Sequence, residues 1–192
     1  MISEELRNGL TDLKQEIEDS VTERLKKVKI RIFVFGPSLN SKTVGSKLRE
    51  YIIAKCRRYY TVVPAEHKEI INIYKRNIGP AHDLCNMEYD LAKHIVDGII
   101  ILPDSSGSLI ELGMFSLHDE LHRKMLILFN DKYQAEMLNN FVGQGAKSAY
   151  DNGNAQTVIV NYRHRRIAWD EISGFLDFLK GKKYWQEVKK KP

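Results

Sequence analysis

One stretch, residues 98–116, brings together residue types that can act on a sugar or an anion. An apolar run stops at Pro103, a polar turn containing Asp104 follows, and a helical pattern starts at about Leu109. The first N–H groups of a helix point outward unsatisfied and carry partial positive charge, which suits an anion or a sugar. We predict that Glu111 lies in that first turn, where the helix dipole favours a carboxylate, and faces the crevice beyond the strand.

Two further features favour a functional role for this turn. Asp104 supplies a second carboxyl group ahead of Glu111, and Gly113 allows the close approach of a ligand. The structural alternative is a capping box, because Ser108-x-x-Glu111 has the required spacing.

A second candidate loop follows the first predicted strand. Residues 36–43, Gly-Pro-Ser-Leu-Asn-Ser-Lys-Thr, match the P-loop spacing except that Ser41 stands where the second glycine belongs. That glycine lets a loop wrap phosphates with no side chain in the way, so the pattern favours a nucleotide crevice over a triphosphate clamp. One alternative is a magnesium-dependent phosphotransferase that uses Lys42. Another is a passive loop in which Asn40 and Ser41 cap the next helix.

Apolar runs and helical patterns alternate along the chain. The predicted strands are residues 29–35, 61–64, 98–102, 124–129 and 157–161. The predicted helices are residues 3–27, 44–57, 66–77, 83–96, 109–122, 133–141 and 169–179, with a loop at 143–154. This alternation predicts an α/β fold: a Rossmann-like, doubly wound and mostly parallel sheet of about five strands with helices on both faces. In such a sheet the loop 36–43, the loop near 64–67 and the turn 104–108 converge outside the carboxyl ends of the strands.

The length of 192 residues allows one domain with a full core. We predict an N-terminal amphipathic helix within 1–28, a nucleotide- or nucleoside-binding domain at 29–180 and a basic tail at 181–192. The helix has one apolar stripe, which either packs on the domain or pairs with a second copy. Its members are Leu6, Leu10, Leu13, Ile17, Val21 and Leu25.

The turn after the third strand resembles motifs of two enzyme families. Residues 103–111, Pro-Asp-Ser-Ser-Gly-Ser-Leu-Ile-Glu, have the spacing of the Pro-Gly-Gly-x-Gly-Thr-x-x-Glu motif of LOG-type phosphoribohydrolases, in the SLOG group. Residues 104–113 resemble the Asp-Ser-Gly-Thr-x-x-Glu-x-Gly motif of nucleoside 2-deoxyribosyltransferases, with one extra residue before Gly107. Residues 35–37 and 92–97 are also similar to the second family.

Both families cleave the N-glycosidic bond between a base and a ribose or deoxyribose. The resemblance implies that Glu111 is the catalytic carboxylate, as a nucleophile in a transferase or as an assisting group in a hydrolase. It implies that Asp104 lies beside Glu111 and that Asp97 handles the base, although Asp97 also fits a simple turn before a strand. The residues expected to hold the sugar or phosphate are Gly36, Pro37, Ser38, Lys42, Ser105, Ser106, Gly107, Ser108 and Gly113.

The predicted function is cleavage or transfer of the N-glycosidic bond of a nucleoside, a nucleotide or an NAD-type substrate, with no metal and no organic cofactor. The alternative is a SLOG-like module that binds a nucleotide signal without turnover. A small nucleotide-cleaving domain with an added helix also resembles effectors of bacterial antiviral defence, which a partner protein releases. Related transferases complete their sites across subunits, so we expect a homo-oligomer.

Charge and composition narrow the classes of protein. The net charge of +5 is concentrated at residues 163–166 and 180–191, which predicts solvated surface, with steering of nucleic acid or nucleotides as the alternative. No apolar run reaches the roughly 18 residues of a membrane span, and no signal segment is recognised, so a cytoplasmic protein is expected. Cys56 and Cys85 are then reduced thiols. His118 and His122 lack the acidic motif of zinc proteases, so no metal site is predicted there.

Overall fold

The computed structural model describes residues 4–64, 68–78, 84–134, 146–147, 149–151 and 155–189. Most of the predicted helix 133–141, most of the predicted loop 143–154 and residues 65–67 of the second loop lie outside the described residues. The chain divides into two compact units, residues 30–179 and residues 1–29 together with 180–192.

The described strands and helices are as follows. In chain order they are α1 (Glu4–Lys26), β1 (Arg31–Phe35), α2 (Val44–Cys56), β2 (Thr61–Val62), α3 (Lys68–Ile78), α4 (Leu84–His94), β3 (Gly98–Ile101), α5 (Ser106–Phe115), α6 (Asp119–His122), β4 (Met125–Asn130), a 3₁₀ turn (Asp131–Tyr133), β5 (Gln156–Val160) and α7 (Arg165–Lys189).

In the described part of the larger unit, five strands form a single sheet in the order β2-β1-β3-β4-β5. Every neighbouring pair is parallel. The predicted α/β fold with a doubly wound sheet is therefore confirmed. The central strands β3 and β4 are buried along their whole length, which explains why they read as continuous apolar runs.

Helices cover both faces of this sheet because successive side chains of a strand point to opposite faces. The odd-numbered residues of β1, β3 and β4 form one core cluster with residues of α3, α4, α5 and α6. The even-numbered residues face α2 and α7. A Cβ at Gly98 would lie 2.3 Å from Leu179 Cδ1 of α7, so a larger residue at this position would force the Leu179 side chain to move.

The predicted single helix at 109–122 is wrong in its bounds. Helix α5 begins at Ser106, because Ser105 acts as its N-cap, and it ends at Phe115. The Ser116 hydroxyl donates to Leu112 O at 2.6 Å near the end of α5. The backbone N–H of Ser116 donates to the same carbonyl at 2.9 Å, so Ser116 is the C-cap of α5. A separate short helix, α6, follows.

The smaller unit contains α1 and the end of α7. Helix α7 continues to Lys189, so much of the predicted basic tail 181–192 is helical. Lys183 Nζ donates to Lys29 O at 2.8 Å within this unit. Four residues of the apolar stripe on α1 are about half exposed, namely Leu10, Leu13, Ile17 and Val21. The predicted self-association through α1 stays a prediction. None of the helices described in either unit has the length and apolar character needed to cross a bilayer.

Candidate active site at the carboxyl edge of the sheet

The strand order locates a crevice between β1 and β3. These neighbours lie where the strand order reverses, and ligands of doubly wound sheets bind outside the carboxyl ends of the strands at that point. Leu102 N donates to Phe35 O at 2.9 Å, so the two strands end side by side. The chain leaves β1 for α2 on one face and leaves β3 for α5 on the other. The loop 36–43 and the turn 104–108 therefore emerge at the same edge of the sheet.

A buried arginine holds the loop after β1. Arg49 of α2 donates from Nε to Val34 O at 3.1 Å, and from Nη1 to Gly36 O at 3.1 Å and Pro37 O at 3.2 Å. A Cβ at Gly36 would lie 3.2 Å from Leu102 Cβ, which is tighter than ordinary packing. Packing accounts for Gly36 and Pro37 here, and their predicted contact with a substrate stays a prediction.

Two N–H groups in the rest of this loop donate hydrogen bonds within the loop. Ser41 N donates to Ser38 O at 3.0 Å, and Asn40 N donates to Ser38 Oγ at 3.3 Å. The N–H groups of a P-loop instead face the phosphates, so this geometry is unlike a triphosphate clamp. The cap of α2 is Thr43 rather than Asn40 and Ser41, because Thr43 Oγ1 accepts from Ser46 N at 3.1 Å.

Two serines organise the turn after β3. Ser105 Oγ accepts from Ser108 N at 3.3 Å, while Ser108 Oγ accepts from Ser105 N at 3.0 Å and from Asp104 N at 3.2 Å. The capping box is thus formed by Ser105 and Ser108. The predicted alternative of a box between Ser108 and Glu111 is wrong, because α5 begins before Ser108. The two hydroxyls already bond within the turn, which leaves them less available to a substrate.

Other predicted ligand residues at this edge are open to solvent. The exposed ones are Ser38, Lys42, Ser106 and Gly107. Ser106 and Gly107 begin α5, and N–H groups in the first turn of a helix have no acceptor within the helix. These two N–H groups are therefore the best placed in the turn to bind an anion or a sugar oxygen.

Asp104 is the most enclosed carboxylate at the edge. Its side chain is 6% exposed, and Lys132 Nζ lies 3.0 Å from Asp104 Oδ1. A Cβ added at Gly45, in the first turn of α2, would collide with the Asp104 carboxylate. Gly45 therefore leaves the space that the carboxylate occupies, close to the positive end of the α2 dipole.

Lys132 was not predicted from the sequence. It lies in the 3₁₀ turn that follows β4, at the same carboxyl edge as Asp104. A hydrogen bond with Tyr133, followed by the pairing with Asp104, raises the pKa of Lys132, while burial opposes that shift. The only sequence signal for it was a polar run, Asn130-Asp131-Lys132, directly after a buried strand.

Tyr162 lies close to this pair and is fully buried. Its hydroxyl donates to Leu128 O at 2.5 Å. Burial raises the pKa of Tyr162 above its usual range, and the negative charge of Asp104 adds to the effect. This hydroxyl therefore stays protonated and holds the chain after β5 against β4.

Glu111 lies in the second turn of α5 rather than the first, because the helix begins at Ser106. The residue is partly buried, and its Oε2 is shielded from solvent. It follows buried Ser108 by three residues and precedes buried Phe115 by four, so it shares their side of the helix. Helical side chains lean toward the N-terminus of their helix, and the N-terminus of α5 lies at the carboxyl edge of the sheet.

The structure does not bring Asp97 to the other two carboxylates. Asp97 precedes β3, whereas Asp104 follows it, so they lie at opposite edges of the sheet. Asp97 Oδ2 accepts from Arg31 N at 2.7 Å, and Asp97 N donates to Arg31 O at 2.8 Å. These bonds join the start of β3 to the start of β1.

The two histidines singled out in the sequence do not form a helical pair. His118 precedes α6, and its ring stacks on Tyr89 with the centroids 4.1 Å apart. His122 is buried with Nε2 3.1 Å from Ser116 O. Among the described residues, no group of three or more potential metal ligands is found.

Comparison with known proteins identifies a family. Residues 41–191 match the family model described as STM3845 retron effector protein, a span that includes Asp104, Glu111 and Lys132. The Escherichia coli protein named "Retron Ec86 putative ribosyltransferase/DNA-binding protein" is 33% identical over 78 residues. That match covers 41% of this chain and 24% of the relative, so the matched segment spans about a quarter of the relative's length.

The prediction of a defence effector is confirmed at the level of the family. The finer resemblance to deoxyribosyltransferases and SLOG proteins stays a prediction, and the relative's name supports a ribosyl-transfer activity only for that relative. Because the family model covers well over half of its residues, the chain belongs to the STM3845 retron effector protein family.

Proposed function

We propose that this effector cleaves or transfers the N-glycosidic bond of a nucleoside, nucleotide or NAD-type dinucleotide, with Glu111 as the catalytic carboxylate. The observation that supports the proposal is that two carboxyl groups on the segment after β3 are withdrawn from solvent. Asp104 is enclosed and paired with Lys132, and Glu111 has an oxygen shielded from solvent. Withdrawing carboxylates from water is costly, which favours a functional reason for having two of them here.

The chemistry follows from what a carboxylate does next to a sugar. Cleavage of an N-glycosidic bond passes through an oxocarbenium-like state, which a close negative charge stabilises. Glu111 provides that charge, either by bonding to the anomeric carbon or by activating water or the sugar. Asp104, fixed by Lys132, assists by orienting the sugar or the leaving base. The N–H groups of Ser106 and Gly107 bind an oxygen of the substrate.

The name of the relative supports this class of reaction, because a ribosyltransferase also acts at the anomeric carbon of a ribose. Membership of a retron effector family supports regulation by other components of a retron. In this proposal a partner from the same system keeps the protein inactive and later releases it. The defence effectors that this protein resembles are regulated in the same way.

The decisive experiment measures the release of free bases. The purified protein is incubated with a mixture of nucleosides, nucleoside monophosphates and NAD, and the products are separated by chromatography. We expect base release from one substrate class and a loss of about a thousandfold in Glu111→Gln, within the range that a positioned catalytic group supplies. Thermal unfolding of the variant should match that of the wild type.

Glu171→Gln is the matched control, because Glu171 is an exposed carboxylate on α7. It should release base at the wild-type rate. Undiminished turnover by Glu111→Gln would overturn the assignment of this residue. Tight nucleotide binding with the ligand recovered intact, in the presence of the retron components, would favour a signal-binding module instead.

A further inference from the structure

A cavity opens at the carboxyl edge of the sheet beside the proposed active site. It has a volume of about 350 Å³ and lies beyond the ends of β4 and β5. Lys132, which pairs with Asp104, is one of its lining residues, so the cavity borders the Asp104 site. Val44, the neighbour of Gly45 at the start of α2, lines it as well.

Hydrogen-bond donors dominate the polar lining of this cavity. Lys132 and Arg163 contribute cationic groups, and Arg163 makes no ion pair among the described residues. Asn130 Oδ1 accepts from Lys132 N at 3.4 Å, and Asn161 Oδ1 accepts from Arg163 N at 2.9 Å. Each asparagine thus uses its oxygen on the backbone and retains its NH₂ group as a donor.

The remaining polar groups leave this donor excess in place. The hydroxyl of Tyr162 already donates to Leu128 O, so it supplies no further proton. Asp131 is the one carboxylate that the described lining contains. Because Asp104 pairs with Lys132 and lies close to the positive end of the α2 dipole, Arg163 is the cation of the lining that makes no ion pair among the described residues.

A lining rich in donors fits a ligand group that only accepts hydrogen bonds and carries negative charge. A phosphate has these properties, and arginine binds phosphate with particular geometric specificity. We propose that this cavity binds a phosphate group of the substrate, with Arg163 as its main ligand and the two asparagine amides as supporting donors. The substrate is then a phosphorylated nucleotide rather than a bare nucleoside, an inference that rests on the proposed function.

The size of the cavity favours a small nucleotide over a nucleic acid strand. Pockets for small ligands start at about 300 Å³, and the volume of this cavity is close to that lower bound. A strand of DNA would instead need an open groove that follows several phosphates. We therefore expect this cavity to bind a single phosphate-bearing molecule.

The test measures the binding of inorganic pyrophosphate by calorimetry, in the Glu111→Gln background, at low salt. We expect binding that weakens at least about tenfold in Arg163→Gln, as the loss of one charge-assisted contact predicts. Arg166→Gln is the matched control, because Arg166 is an exposed cation of the same basic cluster that does not line the cavity. It should bind like the parent protein.

Pyrophosphate binding that is absent, or equal in Arg163→Gln and the parent protein, would overturn the proposal. A single-stranded oligonucleotide that binds through Arg163 while pyrophosphate does not would also overturn it, in favour of nucleic acid. Because no turnover is involved, the outcome is independent of the base-release assay. A protein that binds pyrophosphate through Arg163 but releases no base, alone or with the other retron components, would refute the proposed function and leave the phosphate site standing.

Discussion

Strand β3 has an aspartate at each end, and the two have opposite surroundings. At the amino end, Asp97 bonds to the backbone N–H of Arg31 and joins β3 to β1. At the carboxyl end, Asp104 is enclosed, pairs with the side chain of Lys132 and faces the first turn of α2. One aspartate is tied to the backbone, and the other is held by side chains beside a crevice.

The contrast shows that the direction of the strand, rather than the residue type, decides which carboxylate can reach a ligand. In a parallel sheet all the carboxyl ends lie at one edge, together with the loops and helix N-termini that bind ligands. Asp97 precedes β3 and therefore lies at the opposite edge, even though residues 92–97 resemble a family motif. We therefore expect the two aspartates to differ in what they support: Asp97 the stability and Asp104 the reaction.

The largest expected effect on activity is that of Asp104→Asn, and it should distinguish the role of Asp104 in the reaction from the role of Asp97 in stability. Asp104→Asn removes the charge that pairs with Lys132 and assists Glu111, so we expect base release to fall about a hundredfold with little change in unfolding. Asp97→Ala removes a hydrogen bond to a charged carboxylate, so we expect about 1.5–3 kcal/mol less stability and an unchanged rate per folded molecule. Chemical unfolding and base release, measured on both variants, make the comparison.

The reverse pattern of losses in the two variants would contradict this division of roles between Asp97 and Asp104. If Asp97→Ala lost activity while folded and Asp104→Asn kept it, the resemblance-based role of Asp97 would stand and the separation of the two edges would not matter for chemistry.

The fold could be read from the sequence with few errors. Continuous apolar runs at β3 and β4 and the intervening helical patterns predicted the doubly wound sheet, because strands buried on both faces leave that signature. The bounds of α5 were wrong for a local reason. Two serines that bond to each other start the helix early, and hydrogen bonds between side chains of this kind do not alter hydrophobic periodicity.

Only those residues of the candidate site that belong to one continuous segment of the chain could be predicted from the sequence. The turn at 104–108 and Glu111 belong to a single stretch and share a recognisable spacing. Lys132 and Gly45 come to Asp104 from other parts of the chain, and no local pattern links them. Their roles depend on tertiary contacts: an ion pair in one case, and the absence of a side chain in the other.

The Gly45→Ala variant would disturb the position of the Asp104 carboxylate while Asp104 itself stays an aspartate. In Gly45→Ala the added methyl group would occupy the space of the Asp104 carboxylate, which must then move. Since a misplacement of about 1 Å can cost up to about a hundredfold in rate, we expect activity to fall at least tenfold. Base release and thermal unfolding of Gly45→Ala should be compared with those of Asp104→Asn.

Similar losses of base release in the two variants would show that Gly45 matters because it lets the Asp104 carboxylate keep its position. Full activity in Gly45→Ala would mean that the site tolerates movement of Asp104, which would remove its proposed role in orienting the substrate.

The smallest expected effect concerns Gly113, which the sequence analysis marked for the close approach of a ligand. A Cβ at this position of α5 would meet no protein atom within 4 Å, and the same holds for Gly174 of α7. Alanine favours a helix over glycine by about 0.5–1 kcal/mol, so both Gly113→Ala and Gly174→Ala should raise the unfolding temperature. If substrate approaches α5 at Gly113, base release should fall several-fold in Gly113→Ala and stay unchanged in Gly174→Ala. Equal stabilisation with equal, full activity would show that the glycine two residues beyond Glu111 gives no room to the substrate, and the ligand would then lie on the Asp104 side of the crevice.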